Sequence, residues 1–465
     1  MIKPERKMSK GRDIVDRMAF PDLQWQMPRV GAEVGRTVLS NGLVVYSLAD
    51  HSLPLMSLDF RARGGYLHPE RRCKRLPSVA QSLLCTGGTA EHSPEEFDEL
   101  VDFHGLTLQG QARLETTALY CCGLAEKLDI ALGLVTEMIT RPRFDGRKLG
   151  IIKEQWREAL RRRNDDPADV ASREFGLMLY GDDPQGWDDN WEDINSLTEG
   201  EIRRWHGQVW DPRHGYLAVC GDFDEDRLID TLEKAFEAWK PGLGAEFTAP
   251  RLSGQAAMGN YLVDREGTQS CICMGMLGLN RFDPQLPAAE LANYIFGGGS
   301  FSSRLMDKVR TRNGMAYSIY SLADLSTLRR GRVLVSAQTK TENTQRVLSS
   351  VHDEMEEMCC KLVGEAEFQQ AREALINATI MAFTDTEEAL KALMQLEIIG
   401  WPSDYYHNLL NRYKEVTREE ILEVSKRLFR PQDMLTVVVG DSAKLSQSCP
   451  QSAAWKRHEV GDPHC

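Results

Sequence analysis

The sequence predicts an α+β protein built from two related halves. Three observations lead there. First, Leu197–Asp222 matches Val416–Asp441 without a gap, at a constant offset of 219 residues. Thr198/Thr417, Glu201/Glu420, Ile202/Ile421, Pro212/Pro431, Gly221/Gly440 and Asp222/Asp441 are identical pairs. Second, both copies read as N-cap, helix, proline turn and short apolar strand ending in Gly-Asp, and the unbroken register favours duplication over chance. Third, strand pairs and long helices mix along the chain without strict βα alternation. At 465 residues the chain is also too long for one small core.

The elements follow in order. Residues 1–34 read as an N-terminal arm, polar and Pro-containing. Strand signals come at Leu43–Leu48, after the turn Asn41-Gly42, and at Met56–Arg61. Pro77–Cys85 reads as a helix that Gly87-Gly88 stops. Ser93–Phe103 is a helix with a full start signal: Ser93 as N-cap, Pro94 in the first turn, Glu96 closing a capping box. Leu106–Leu108 and Thr116–Cys122 read as strands of a meander, with an open sheet edge expected within Gly110–Cys122. Lys127–Ile139 and Leu149–Asn164 are amphipathic helices, the second ended by Asp166-Pro167. The first half spans 35–241, a Gly/Pro/Ala-rich linker 242–255, the second half 256–445, and a polar, flexible tail 446–465.

Composition narrows the function. A net charge of −13 argues against nucleic acid, which needs a basic footprint, and leaves cationic peptides open. No apolar run is long enough to span a membrane. The 11 cysteines lack zinc-knuckle or CxxC spacing and fit a reducing compartment, mostly as small core residues. The charged N-terminus has no apolar run behind it. The expected location is cytoplasmic, or periplasmic or secreted if an upstream start encodes a signal peptide.

Gly297–Tyr317 stands out. It runs Gly297, Gly298, Gly299, then Ser302 and Arg304 in a short helix, then Arg310, a stop at Gly314, and Tyr317 at the head of a strand. On composition alone Arg310 is a helix-end cation and Tyr317 a packing aromatic. A phosphate loop has little support, because neither GxGxxG nor a Walker lysine follows.

Four stretches together resemble the M16 (insulinase-like, or pitrilysin) metallopeptidases, in the bacterial and mitochondrial-processing-peptidase branch. They are Val38–Tyr46, Ser78–Thr89 ending Gly87-Gly88-Thr89, Glu158–Pro167, and Phe301-Ser-Ser-Arg-Leu305 through Gly314-Met-Ala-Tyr317-Ser318. The resemblance implies the LuxS/mitochondrial-processing-peptidase-like metallohydrolase fold, two halves closing as a clam-like chamber. Active members carry His-x-x-Glu-His on one helix, two ligands at i and i+4 with the Glu acting on metal-bound water. Counted back from Thr89, those positions are Val79, Ser82 and Leu83. The third ligand position, anchored on Asp165-Asp166-Pro167, is Ala159, and the neighbouring Glu158 lies about 100° around the helix. No catalytic zinc is expected in this chain.

In the family an Arg/Tyr pair in the second half donates hydrogen bonds to substrate carbonyls at the zinc site of the opposing half; here the matching residues are Arg310 and Tyr317. Keeping that pair without the ligands resembles the non-catalytic subunit of a heterodimeric M16 peptidase. The resemblance therefore implies a partner subunit carrying His-x-x-Glu-His and its zinc, no cofactor in this chain, and a peptide substrate. Two alternatives stay open. One is a scaffold subunit like the core proteins of respiratory bc1 complexes. The other is a stand-alone hydrolase with an unrecognised metal site.

Overall fold

The computed structural model describes residues 27–67, 74–242, 256–324 and 331–461. Most of the arm and almost all of the linker lie outside the described residues. The first half contains β1 (Gly35–Val38), β2 (Val44–Ala49), β3 (Leu55–Arg63), α1 (Leu76–Thr86), α2 (Pro94–Phe103), β4 (Thr107–Ala112) and β5 (Thr116–Leu124). It continues with α3 (Leu128–Thr140), α4 (Gly146–Arg162), α5 (Pro167–Tyr180), α6 (Trp191–Ser196), α7 (Glu199–Val209), β6 (Gly215–Gly221) and α8 (Glu225–Ala235). The second half contains β7 (Gly259–Asp264), β8 (Gln269–Leu277), α9 (Leu286–Asn293), β9 (Ala316–Asp324), β10 (Arg332–Lys340) and α10 (Thr344–Cys360). It ends with α11 (Glu365–Met381), α12 (Thr386–Ile399), α13 (Tyr405–Glu415), α14 (Arg418–Leu428), β11 (Leu435–Gly440), α15 (Ser442–Ser448) and β12 (Lys456–Arg457).

Each half folds one sheet of six strands, in the order β1-β2-β6-β3-β5-β4 and β12-β7-β11-β8-β10-β9. The orders superpose strand for strand from β2/β7 to β4/β9. Only the outermost place differs: the chain's early strand β1 fills it in one sheet and its last strand β12 in the other. The architecture is the expected α+β pair of halves.

The 219-residue offset reaches further back than the sequence match. It carries α4 onto α11, α5 onto α12 and α7 onto α14, end for end. Capping boxes Thr198/Glu201 and Thr417/Glu420 start the last pair. Asp166 and Asp385 cap α5 and α12 at the same offset, and Gly181 and Gly400, both at positive φ, end them. Those two helices change sides. α5 packs across β8 and β11 of the second sheet, and α12 across β6, β2 and β3 of the first. Glu397 of α12 anchors its exchange, accepting from Arg36 at 2.8 Å and from the Tyr46 hydroxyl.

Three expectations need correction. The open edge of the first sheet is β4, Thr107–Ala112; β5 lies between β4 and β3. Asp166-Pro167 does not only end α4, because Asp166 caps the next helix. Residues 446–461, expected as a flexible tail, are folded. Cys449 and Trp455 are buried, β12 pairs with β7, and His458 meets Glu174 of α5 at 2.8 Å. The sequence signal of mobility, polar residues with two prolines, misses these few anchors. Among the described residues no helix is long and apolar enough to cross a membrane.

His206 on α7 gives a pH prediction. Its ring is buried against Phe144, with Nε2 2.7 Å from the Ile139 carbonyl. Burial pulls its pKa down to about 4 from the ordinary 6.5. Between those values the unfolded chain binds the proton and the folded chain does not, so stability falls as pH drops from 6.5 toward 4. Denaturant melts across that window should lose as much as ~3 kcal/mol through this one group. His206→Gln should flatten the slope.

Candidate functional site

The Arg310/Tyr317 segment is positioned by unusual helical geometry. The expected glycine loop is instead a π-helical turn, Tyr294–Gly298, that continues α9. The glycines are there for close approach. A Cβ on Gly297 would sit 2.6–2.8 Å from Ser321 of β9, including its backbone nitrogen. One on Gly298 would sit 2.6 Å from Asn293, and one on Gly299 would sit 2.7 Å from the Tyr294 carbonyl. Gly297 lets the helix lie directly on β9, and Gly298 and Gly299 let the π turn close on Asn293 and Tyr294. Gly297→Ala should therefore cost about 1–3 kcal/mol through overpacking, read as a lower thermal midpoint.

A 3-10 turn, Ser300–Ser302, follows, closed by Ser302 Oγ donating to the Gly299 carbonyl at 2.7 Å. Arg304 forks onto Glu367 of α11 and ties the segment to the helix layer. A second π segment, Met306–Arg312, carries Arg310 on its last turn; such segments recur at functional sites because they re-aim side chains within a helix. Gly314, at φ 57°, turns the chain into β9.

Tyr317 is the extra residue of a β-bulge. Ser318 pairs with Gln338 and Ala316 with the adjacent Thr339, so Tyr317 has no partner on β10. Bulges re-aim side chains, and Tyr317 is 75% exposed on an edge strand. Arg310 is half-buried, with its guanidinium 5.2 Å from the centre of the Phe301 ring. Among the described residues no carboxylate pairs with it; its one hydrogen-bond contact is the Met306 sulfur at 3.9 Å. Its donors are therefore open to an acceptor from outside. The sequence reading missed Phe301 as the platform for Arg310, Ser321 as the reason for Gly297, and Glu367 as the anchor of Arg304.

The opposite site is chemically empty. Val79 and Leu83 are 0% exposed and belong to the apolar core of the first half. Ser82 is exposed, and so is Ala159 on α4. The less buried positions on that side of α1 are Ser78 and Ser82, while Gln81 donates to the Ala118 carbonyl at 2.8 Å. Whichever of these positions is taken, α1 offers no His and no carboxylate. Glu158 is spent on Arg161 and Arg162. These residues do not fit a zinc ion, and no other group of three or more His, Cys, Asp or Glu fit for a metal occurs among the described residues.

Known proteins resemble this chain in sequence and in fold. Residues 196–375 match the family model described as the Peptidase M16 inactive domain. An "uncharacterized zinc protease" of Streptomyces coelicolor is 26% identical over 76% of this chain and 78% of its own length. The "non-peptidase homolog YmxG" of Helicobacter pylori is 21% identical over 86% of this chain and 92% of its own. In three dimensions, a Pseudomonas fluorescens structure described as a peptidase M16 inactive domain overlays with a TM-score of 0.80. It covers 88% of this chain and 98% of that one at 21% identity. The periplasmic protease PqqL of Escherichia coli gives 0.77 at 15% identity, over 95% of this chain and 49% of its own. Residues 196–375 thus match the M16 inactive domain, and over most of its length the chain is similar to M16-type proteins in sequence and in fold.

Proposed function

We propose that this chain is the substrate-binding, non-catalytic subunit of a two-chain M16 zinc peptidase. One observation carries the reading: a π segment presents the half-buried Arg310 with no carboxylate partner and a bulge presents the exposed Tyr317, while among the described residues no group fit for a metal occurs. Donors held this way suit a carbonyl oxygen that gains negative charge when attacked, because a fixed guanidinium fork and phenol need no reorganisation. The attacking water, its base and the zinc would belong to the partner. The edge strand β4 adds a place where an extended peptide can hydrogen-bond as an extra strand. A relative that bears the name non-peptidase homolog fits a chain without its own activity.

The test is to mix the purified chain with an M16 chain that carries His-x-x-Glu-His and follow a quenched fluorescent peptide. Cleavage by the mixture and by neither chain alone supports the proposal. Full activity of the partner alone ends it.

A further inference from the structure

The segment Met306–Arg312 takes the π register, which is rare among helices, so particular contacts must hold it there. Two of them meet on Lys308, two residues before Arg310. Its ammonium donates to a carboxylate oxygen of Glu354 on α10 at 3.1 Å. Its carbonyl accepts from the side-chain amide of Asn313 at 2.7 Å. Beyond them the turn closes wide: the Met315 nitrogen donates to the Val309 carbonyl, six residues back, at 2.9 Å. Lys308 is thus pinned by both its side chain and its main chain.

Glu354 is the fixed side of the pair. It sits in the middle of α10 with its side chain 4% exposed, against 40% for Lys308. A carboxylate taken out of water needs a cation within reach. Other charges around it are engaged elsewhere: Arg304 forks onto Glu367, and Glu357, one turn along α10, accepts from Lys361 at 2.7 Å. Among the described residues Lys308 is the one ion-pair partner of Glu354. The pair therefore constrains the register. A π turn holds more residues than an α turn, so each advances by a smaller angle. If the segment slipped to the α register with Lys308 still on Glu354, Arg310 would swing around the helix axis, away from the Phe301 ring that it faces at 5.2 Å.

We propose that Glu354 is a positioning residue for Arg310: through Lys308 it holds the π segment in register and so sets the direction of the Arg310 guanidinium. The inference rests on the subunit reading above and adds the residue that keeps the donor aimed. Glu354 itself touches no substrate. Its effect is to fix the donor before charge develops, so that none of the transition-state stabilisation is lost to reorganisation.

The experiment has two arms. In the first, the full chain alone carries isotopically labelled methionine methyls. The Met306 methyl, assigned with Met306→Leu, reports on Arg310, whose guanidinium lies 3.9 Å from the Met306 sulfur. Glu354→Gln should shift this resonance toward its place in Arg310→Ala, and leave Met56 and Met138, in the core of the first half, where they are. Lys308→Gln, which cuts the same pair from its more exposed side, should do the same. In the second arm, with a zinc-bearing partner, Glu354→Gln should lower kcat about tenfold and leave KM unchanged, because a re-aimed donor loses part of what a removed donor loses. In the Arg310→Ala background it should lower kcat no further. An unmoved Met306 resonance, or the same fold-loss with and without Arg310, would overturn the proposal. If the wild-type mixture cleaves nothing, the subunit reading falls, and the Met306 resonance alone decides this one.

Discussion

Arg310→Ala should lower kcat of the assembled pair by about 10²- to 10³-fold, the usual loss when one fixed donor to a developing oxyanion is removed. Tyr317→Phe, which removes only the hydroxyl, should fall in the same range and leave the bulge in place. Both losses should appear equally in kcat and kcat/KM, because the donors act on charge that exists only in the transition state. Assembly with the partner should not change, since Tyr317 is largely exposed and Arg310 touches Phe301 and Met306 of its own chain. Steady-state cleavage of a quenched peptide at saturating subunit ratio measures this. Wild-type rates in both variants would leave the pair without a catalytic role and favour the scaffold reading.

The second large effect concerns stability. Arg281, 2% exposed in its side chain, forms an ion pair with Glu115. Glu115 sits in the turn between β4 and β5, and Arg281 precedes α9, the helix that leads into the Arg310 segment. The pair therefore ties the β4–β5 turn of the first half to the segment that precedes α9 in the second. Arg281→Met removes the buried guanidinium and its charge-assisted hydrogen bond to Glu115, which costs about 1.5–3 kcal/mol. Tryptophan-detected urea melts of the variant and the wild type give the comparison. A single-variant loss below about 0.5 kcal/mol, typical of a surface substitution, would show that the contact holds nothing.

The sequence read these features unevenly, for physical reasons. The duplication was legible at Thr198/Thr417 and Glu201/Glu420 because a capping box is a local device that needs its own residue types. The α5/α12 pair was not, since its helices contact different sheets and their side chains have diverged. Only the caps survive, Asp166/Asp385 and Gly181/Gly400, and carrying the offset back from Leu197 would have found them. Gly297–Gly299 read as a loop because three glycines disfavour a helix. For Gly297 the cause is the approach to Ser321, a contact 24 residues away that no local pattern reports. The exposure of Tyr317 follows from a bulge set by its pairing with β10, again non-local. That Val79, Ser82, Leu83 and Ala159 are not His or Glu was plain from residue identity alone, whereas the burial of Val79 and Leu83 in the core came only with the packing.

The most direct test of the account is a titration. A fixed amount of an M16 chain bearing His-x-x-Glu-His receives increasing amounts of this chain, and the initial rate of peptide cleavage is recorded. The account predicts a rate that rises from near zero and saturates at one equivalent, with Arg310→Ala saturating at the same point but far lower. A rate that is full at zero equivalents, or that never responds to this chain, would contradict it.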